Sequence, residues 1–179
     1  MYIVIGKSGS GKTTLVDELV TKHGFKKLIT DTTRPKRAGE EDGIDYNFVS
    51  DEEFQANKEN GLYAESVTYN ASFGVVSYGS RLAAYQTASD KDVIILNPFG
   101  LKMMKDKLED CFVKTIYLRL EDSLILSRLS VRGDSQAEVE RRLKTDYDDF
   151  LEIEKYCDLV IDVSPQTTIS DLIDIILKG

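Results

Sequence analysis

The sequence predicts an α/β protein: three layers around a parallel central sheet, with a small antiparallel subdomain inserted near the N-terminus. Three observations carry this. From residue 80 onward, short apolar runs alternate with stretches at helical spacing, the pattern of right-handed β-α-β units. The first apolar run, residues 2–5, leads through a glycine-rich loop into a helical pattern. Residues 34–79 have another texture, basic at first and then alternating.

Taken in order, residues 2–5 form a buried strand. Leu15, Leu19 and Val20 mark a helix over 12–23 that Gly24 closes, with His23 as a cation at its C-terminus. Residues 27–30 read as a second short strand. A basic stretch then reaches a strand-like run at 46–49. Ser50 followed by Glu53 is a capping-box pattern for a helix ending near Asn60 and Gly61. Residues 62–78, rich in Tyr, Val, Ser and Thr, predict antiparallel strands with a turn near Asn70. Helices are expected at 80–87, 100–108, 122–130 and 170–177, and strands at 93–96, 113–118 and 159–163. A charged stretch over 132–144 leads into a long helix through about Glu154.

The chain has 179 residues, enough for one domain with its own core. Its 23 Lys and Arg against 31 Asp and Glu give a net charge of −8, which argues against nucleic-acid or anionic-membrane binding. Cys111 and Cys157 stand in no metal or redox spacing and read as thiols of a reducing compartment. No basic segment precedes the first strand, so no signal peptide is expected. No apolar run approaches the roughly 20 residues of a membrane helix. A soluble, cytoplasmic protein is the expectation, with monomer and homodimer both open.

Residues 6–13 read Gly-Lys-Ser-Gly-Ser-Gly-Lys-Thr. Gly6, Gly11, Lys12 and Thr13 satisfy the phosphate-binding (P-loop) pattern G-x-x-x-x-G-K-[ST]. A triphosphate tail is held by backbone N–H groups that glycines allow close. The following helix adds its positive N-terminus. Gly6, Ser8, Gly9, Ser10, Gly11, Lys12, Thr13 and Thr14 are therefore the candidate ATP-binding residues. Lys12 is suited to the β- and γ-phosphates, and the Thr13 hydroxyl to Mg²⁺.

A second cluster follows at Arg34, Lys36 and Arg37, with Pro35 stiffening the turn. Forked guanidinium groups suit a monophosphate. On spacing alone a solvated charged loop explains it equally well.

Residues 32–54 decide between the two. They resemble the guanylate kinase signature, in which Thr-Thr-Arg is followed by a second Arg, Gly-Glu and Gly-x-x-Tyr-x-Phe. The likeness runs over most of the chain, through the P-loop, Tyr78-Gly79-Ser80 and the arginines around Arg132. It implies transfer of the γ-phosphoryl group of ATP to GMP or dGMP with Mg²⁺, small-molecule nucleotides being the partners. By this resemblance Arg34, Arg37, Tyr46 and Tyr78 hold the acceptor phosphate, Glu65 and Ser80 read guanine, and Thr30 lies near the base. A carboxylate accepts from the adjacent guanine N1–H and amine, a donor pair that adenine lacks.

The resemblance also maps Arg128, Arg132 and Arg142 onto a lid and nearby arginines, with Lys12, Arg34, Arg132 and Arg142 catalytic. A helix surface laced with ion pairs is the plain alternative. The implied organisation is a core of 1–33, 80–126 and 146–179, an acceptor-binding subdomain of 34–79 and a lid of 127–145. Two features depart from the family. Ile95 and Asn97 stand where two aspartates are usual, Asn97 retaining a carbonyl for the guanine amine, and the segment between Glu65 and Tyr78 is longer. Asp162 stands where an asparagine would contact adenine. Another phosphorylated acceptor, or a non-catalytic binding module of guanylate-kinase type, are the competing readings.

Overall fold

A computed structural model describes residues 1–71, 74–105, 107, 113–132 and 136–178, with the side chains of residues 131, 132, 137, 138 and 142 outside the described set. Its central sheet has five parallel strands: β1 (Tyr2–Gly6), β2 (Lys26–Lys27), β7 (Asp92–Ile95), β8 (Lys114–Arg119) and β9 (Leu159–Asp162). They lie in the order β2-β7-β1-β8-β9. Alternation on β1 sorts the two faces. Val4 packs with Leu15 and Leu19 of α1 (Lys12–His23), Ile125 and Leu129 of α5 (Asp122–Arg132), and Ile173 of α7 (Ile169–Lys178). Ile3 and Ile5 pack on the other face with Tyr85 of α3 (Leu82–Gln86) and Leu101 and Met104 of α4 (Pro98–Lys105). Burying both faces is why these strands read as continuous apolar runs.

A second sheet has the order β4-β3-β6-β5, from β3 (Asp31–Thr32), β4 (Asn47–Phe48), β5 (Tyr63–Ala71) and β6 (Gly74–Arg81). Its β5–β6 and β3–β6 pairs are antiparallel, and β3–β4 is parallel. Helix α2 (Asp51–Glu59) precedes β5, and the Ser50 hydroxyl accepts from the Glu53 amide as the sequence predicts. The amide of Gly24, left-handed at the end of α1, donates to the Leu19 carbonyl.

Four expectations are corrected. The strand expected over 27–30 ends at Lys27, and the chain crosses to the second sheet as β3. Asp31 is fully buried, and a carboxylate can be buried only where donors surround it, which the apolar central sheet does not provide. The helix expected from Ser80 starts at Leu82, because Ser80 and Arg81 remain paired with β5. The expected turn near Asn70 is still strand, pairing with Val75, and the register continues to Ala71 opposite Gly74. The long helix expected through Glu154 is α6 (Gln136–Asp149), which ends five residues early. Glu152 takes a left-handed φ of 59° before a 3₁₀ turn, Ile153–Tyr156.

Candidate active site

One cavity of about 870 Å³ runs from the glycine-rich loop to the small sheet. At the loop end, Gly11 is left-handed with φ 93° and opens α1. Gly6 is required by crowding: a Cβ there would stand 2.4 Å from Ser10 Oγ and 2.9 Å from the Leu118 carbonyl. The loop wraps the Lys12 ammonium, which donates to the Gly6 carbonyl at 2.6 Å and the Lys7 carbonyl at 3.0 Å. Ser8, Gly9, Ser10, Thr13 and Thr14 line the same end. No acidic residue lies in the first turn of α1, so nothing there offsets the helix's positive end.

Helices α5 and α6 come over this loop. Arg128 donates to the Gly9 carbonyl at 3.1 Å, and the Ser8 amide donates to Asp146 Oδ2 at 2.8 Å. The next turn of α6 brings Asp149 to the Tyr69 hydroxyl of β5. Burial first, then neighbouring Asp146, raises the Asp149 carboxyl, against the tyrosine hydrogen bond. The side chains of Arg132 and Arg142, two of the expected lid arginines, lie outside the described residues, as do Gly133 and Cys111.

At the small-sheet end, Arg34 is buried with its guanidinium flanked by the rings of Tyr46 and Phe48. It donates to the Pro35 carbonyl at 2.7 Å and to both Glu40 oxygens at 2.7 and 3.0 Å. Its Nε has no hydrogen-bond partner among the described residues. Glu40 also accepts the Arg37 amide at 2.8 Å. Burial alone would raise the Glu40 carboxyl, but Arg34 and the Arg37 amide bring it below its ordinary value. Tyr46, Tyr78 and Tyr69 follow edge to face as an aromatic wall.

Glu65 is 3% exposed. Its Oε1 accepts from Ser80 Oγ at 2.6 Å, and Tyr85 donates to that hydroxyl in turn at 2.9 Å. Its Oε2 is buried and has no hydrogen-bond partner among the described residues. Burial pushes this carboxyl up, against the pull of Ser80 and of the Lys107 ammonium. Gly100 makes room for it, since a Cβ at that position would stand 2.8 Å from Oε2. Asn97 caps α4, its Oδ1 accepting from the Gly100 amide at 2.7 Å, and Pro98 opens the helix. Thr30, Ile95 and Asn97 border the cavity beside Glu65.

Phosphate-loop residues and a buried, half-satisfied carboxylate thus share one cavity, and the comparisons agree with that arrangement. The guanylate kinase family profile matches residues 1–177. The chain belongs to the guanylate kinase family. A guanylate kinase of Alkalilimnicola ehrlichii is 32% identical over 96% of this chain and 85% of its own length. One of Hydrogenovibrio crunogenus is 32% identical over 100% and 87%. The crystal structure of guanylate kinase from Anaplasma phagocytophilum superposes with a TM-score of 0.73, at 24% identity, over 99% of this chain and 82% of that one; it shares the fold.

Several residues of this guanylate kinase site escape a linear reading. Tyr85 and Asp146 meet their partners across elements, and Glu40, inside the Gly-Glu signature, folds back on Arg34 and Arg37 within one loop. Gly100 looks like an ordinary helix residue until Glu65 is seen against it. Asp162 is turned away from the cavity and paired with Arg119, Nη2 to Oδ2 at 2.8 Å. Val163, Thr167 and Thr168 line the cavity in that region instead.

Proposed function

We propose that this guanylate kinase family member transfers the γ-phosphoryl group of ATP to GMP or dGMP in the cytoplasm, releasing ADP and GDP or dGDP. The observation that carries the acceptor's identity is Glu65. A buried carboxylate with one oxygen held by Ser80 and the other unpartnered needs a neighbouring donor. The guanine N1–H and amine supply two, side by side. Adenine would leave Oε2 without a donor, at about 1–3 kcal/mol. Ser80, Thr30 and Asn97 border the base in this reading, the Asn97 carbonyl keeping a second lone pair beyond its cap.

Arg34, Arg37, Tyr46 and Tyr78 hold the acceptor phosphate. That phosphate, with a second pKa of about 6, is largely dianionic at neutral pH and needs no general base. One of its oxygens attacks the γ-phosphorus in line, and the bond to the ADP oxygen breaks with no covalent enzyme intermediate. Lys12 neutralises the β- and γ-phosphates, and Arg34, Arg132 and Arg142 spread the developing charge. Arg128 and Arg132 join the loop in holding ATP. Among the described residues no cluster of three or more His, Cys, Asp or Glu is built for a metal. Mg²⁺ would be held mainly by phosphate oxygens, with a hydroxyl such as that of Thr13, which lines the loop end of the cavity. When bound, it supplies charge neutralisation across the triphosphate. Closure of α6 over the loop excludes water.

The test is ADP production from Mg-ATP with GMP, dGMP, AMP, CMP, UMP and dTMP in turn. GMP or dGMP is expected to stand far above the rest. Preference for another monophosphate refutes the reading of Glu65, and silence with all six refutes GMP and dGMP as acceptors and points to a different phosphorylated acceptor or a binding role.

A further inference from the structure

Asp31 is fully buried, and no step of the proposed reaction uses it. Its carboxylate is nonetheless saturated with donors from the three other strands of the small sheet. From β4, Asn47 Nδ2 donates to Oδ1 at 2.7 Å. From β5, the Tyr63 hydroxyl donates to Oδ2 at 2.8 Å. From β6, Arg81 Nε donates to both oxygens at 3.1 and 2.9 Å.

Each of these residues has a near neighbour on the opposite side of the sheet that belongs to the acceptor site. Successive strand residues face opposite ways. Asp31 follows Thr30, Asn47 follows Tyr46, and Arg81 follows Ser80. Thr30 and Tyr46 line the cavity, and Ser80 holds Glu65. Asn47 and Arg81 instead line a separate depression. Tyr63 and Glu65 stand two apart and would share a face, but a register shift falls between them. Such a bulge re-aims the side chain after it.

We infer that Asp31 is a positioning residue for the acceptor: from the back of the small sheet it sets the relative placement of Thr30 and Tyr46, which lead directly into β3 and β4, and of Glu65 and Ser80 on β5 and β6. Strands β3 and β4 are only two residues long, so backbone pairing alone fixes their register weakly. The carboxylate supplies what the short ladder lacks. It accepts at both oxygens, and an asparagine would turn an N–H toward one set of these donors. The inference rests on the acceptor reading given above.

The test uses the full chain with Asp31→Asn and the milder Tyr63→Phe, which keeps the ring stacked on Phe54. Steady-state kinetics are measured with Mg-ATP and GMP varied separately. For Asp31→Asn the KM for GMP is expected to rise about tenfold, and for Tyr63→Phe by roughly threefold. The KM for ATP and kcat at saturating GMP should stay within about twofold of the parent. An ATP KM that rises in step with that for GMP, or an unchanged GMP KM, overturns the inference. If Asp31→Asn does not fold, Tyr63→Phe decides on the same criteria. A parent protein that does not phosphorylate GMP at all strikes the acceptor reading instead, before either variant is made.

Discussion

Gly100→Ala separates recognition from stability in one residue. Gly100 lies inside α4, where alanine is favoured over glycine by up to about 1 kcal/mol. The added Cβ would stand 2.8 Å from Glu65 Oε2 and 3.1 Å from its Cδ. That is roughly 0.6 Å short of ordinary contact. A carboxylate tip can swing away at small conformational cost, so the fold should tolerate the change. The same swing moves Oε2 off the position where the base donors meet it and strains the 2.6 Å bond from Ser80. Weakening charge-assisted hydrogen bonds in this way costs about 2 kcal/mol, or roughly thirtyfold in the KM for GMP. The assay is ADP production at varied GMP under saturating Mg-ATP, beside a thermal melt followed by circular dichroism. Melting temperature is expected to hold or rise while the KM for GMP climbs and that for ATP does not. A GMP KM within about twofold of the parent, or parallel losses for both nucleotides, would refute the reasoning.

Further outcomes are expected at three other residues. Lys12→Ala should lower kcat/KM roughly a thousandfold or more by removing the charge at the triphosphate; a variant of near-normal rate in the same assay would sink the loop assignment. Arg37→Ala should weaken GMP by roughly ten- to hundredfold and leave ATP affinity unchanged, and titration calorimetry with each nucleotide checks this, equal losses counting against its role. Glu65→Gln carries a pH signature. Burial raises the folded-state carboxyl above its ordinary 4.5, so its contribution to stability is present below that ordinary value and is lost as pH rises through the folded value. The glutamine variant should therefore gain melting temperature relative to the parent as pH rises above the ordinary carboxyl value of 4.5. A difference that stays constant as pH rises would show that Glu65 is not a buried charge in solution.

Local chemistry was legible in the linear sequence. The glycine and lysine spacing of residues 6–13 allows little besides a phosphate-binding turn, because backbone N–H groups must face inward at glycines. Short continuous apolar runs over residues 2–5, 93–96 and 113–118 predict buried parallel strands because both sheet faces are covered. The Ser50 and Glu53 cap and the Gly24 stop depend only on neighbouring residues, and they form as expected.

What the sequence left open depends on residues far apart in the chain. Asp31 draws β3 out of the central sheet because its donors lie 16, 32 and 50 residues away. Asn97 turned its carbonyl to its own helix, and Asp162 turned to Arg119. No sequence interval relates Glu65 to Gly100 until β5 and α4 pack together. The sequence alone determined the loop, the fold class and the family likeness. Tertiary structure decided which carboxylates are satisfied and which one is left needing a donor, because burial and hydrogen-bond satisfaction are set by groups that meet only in the folded chain.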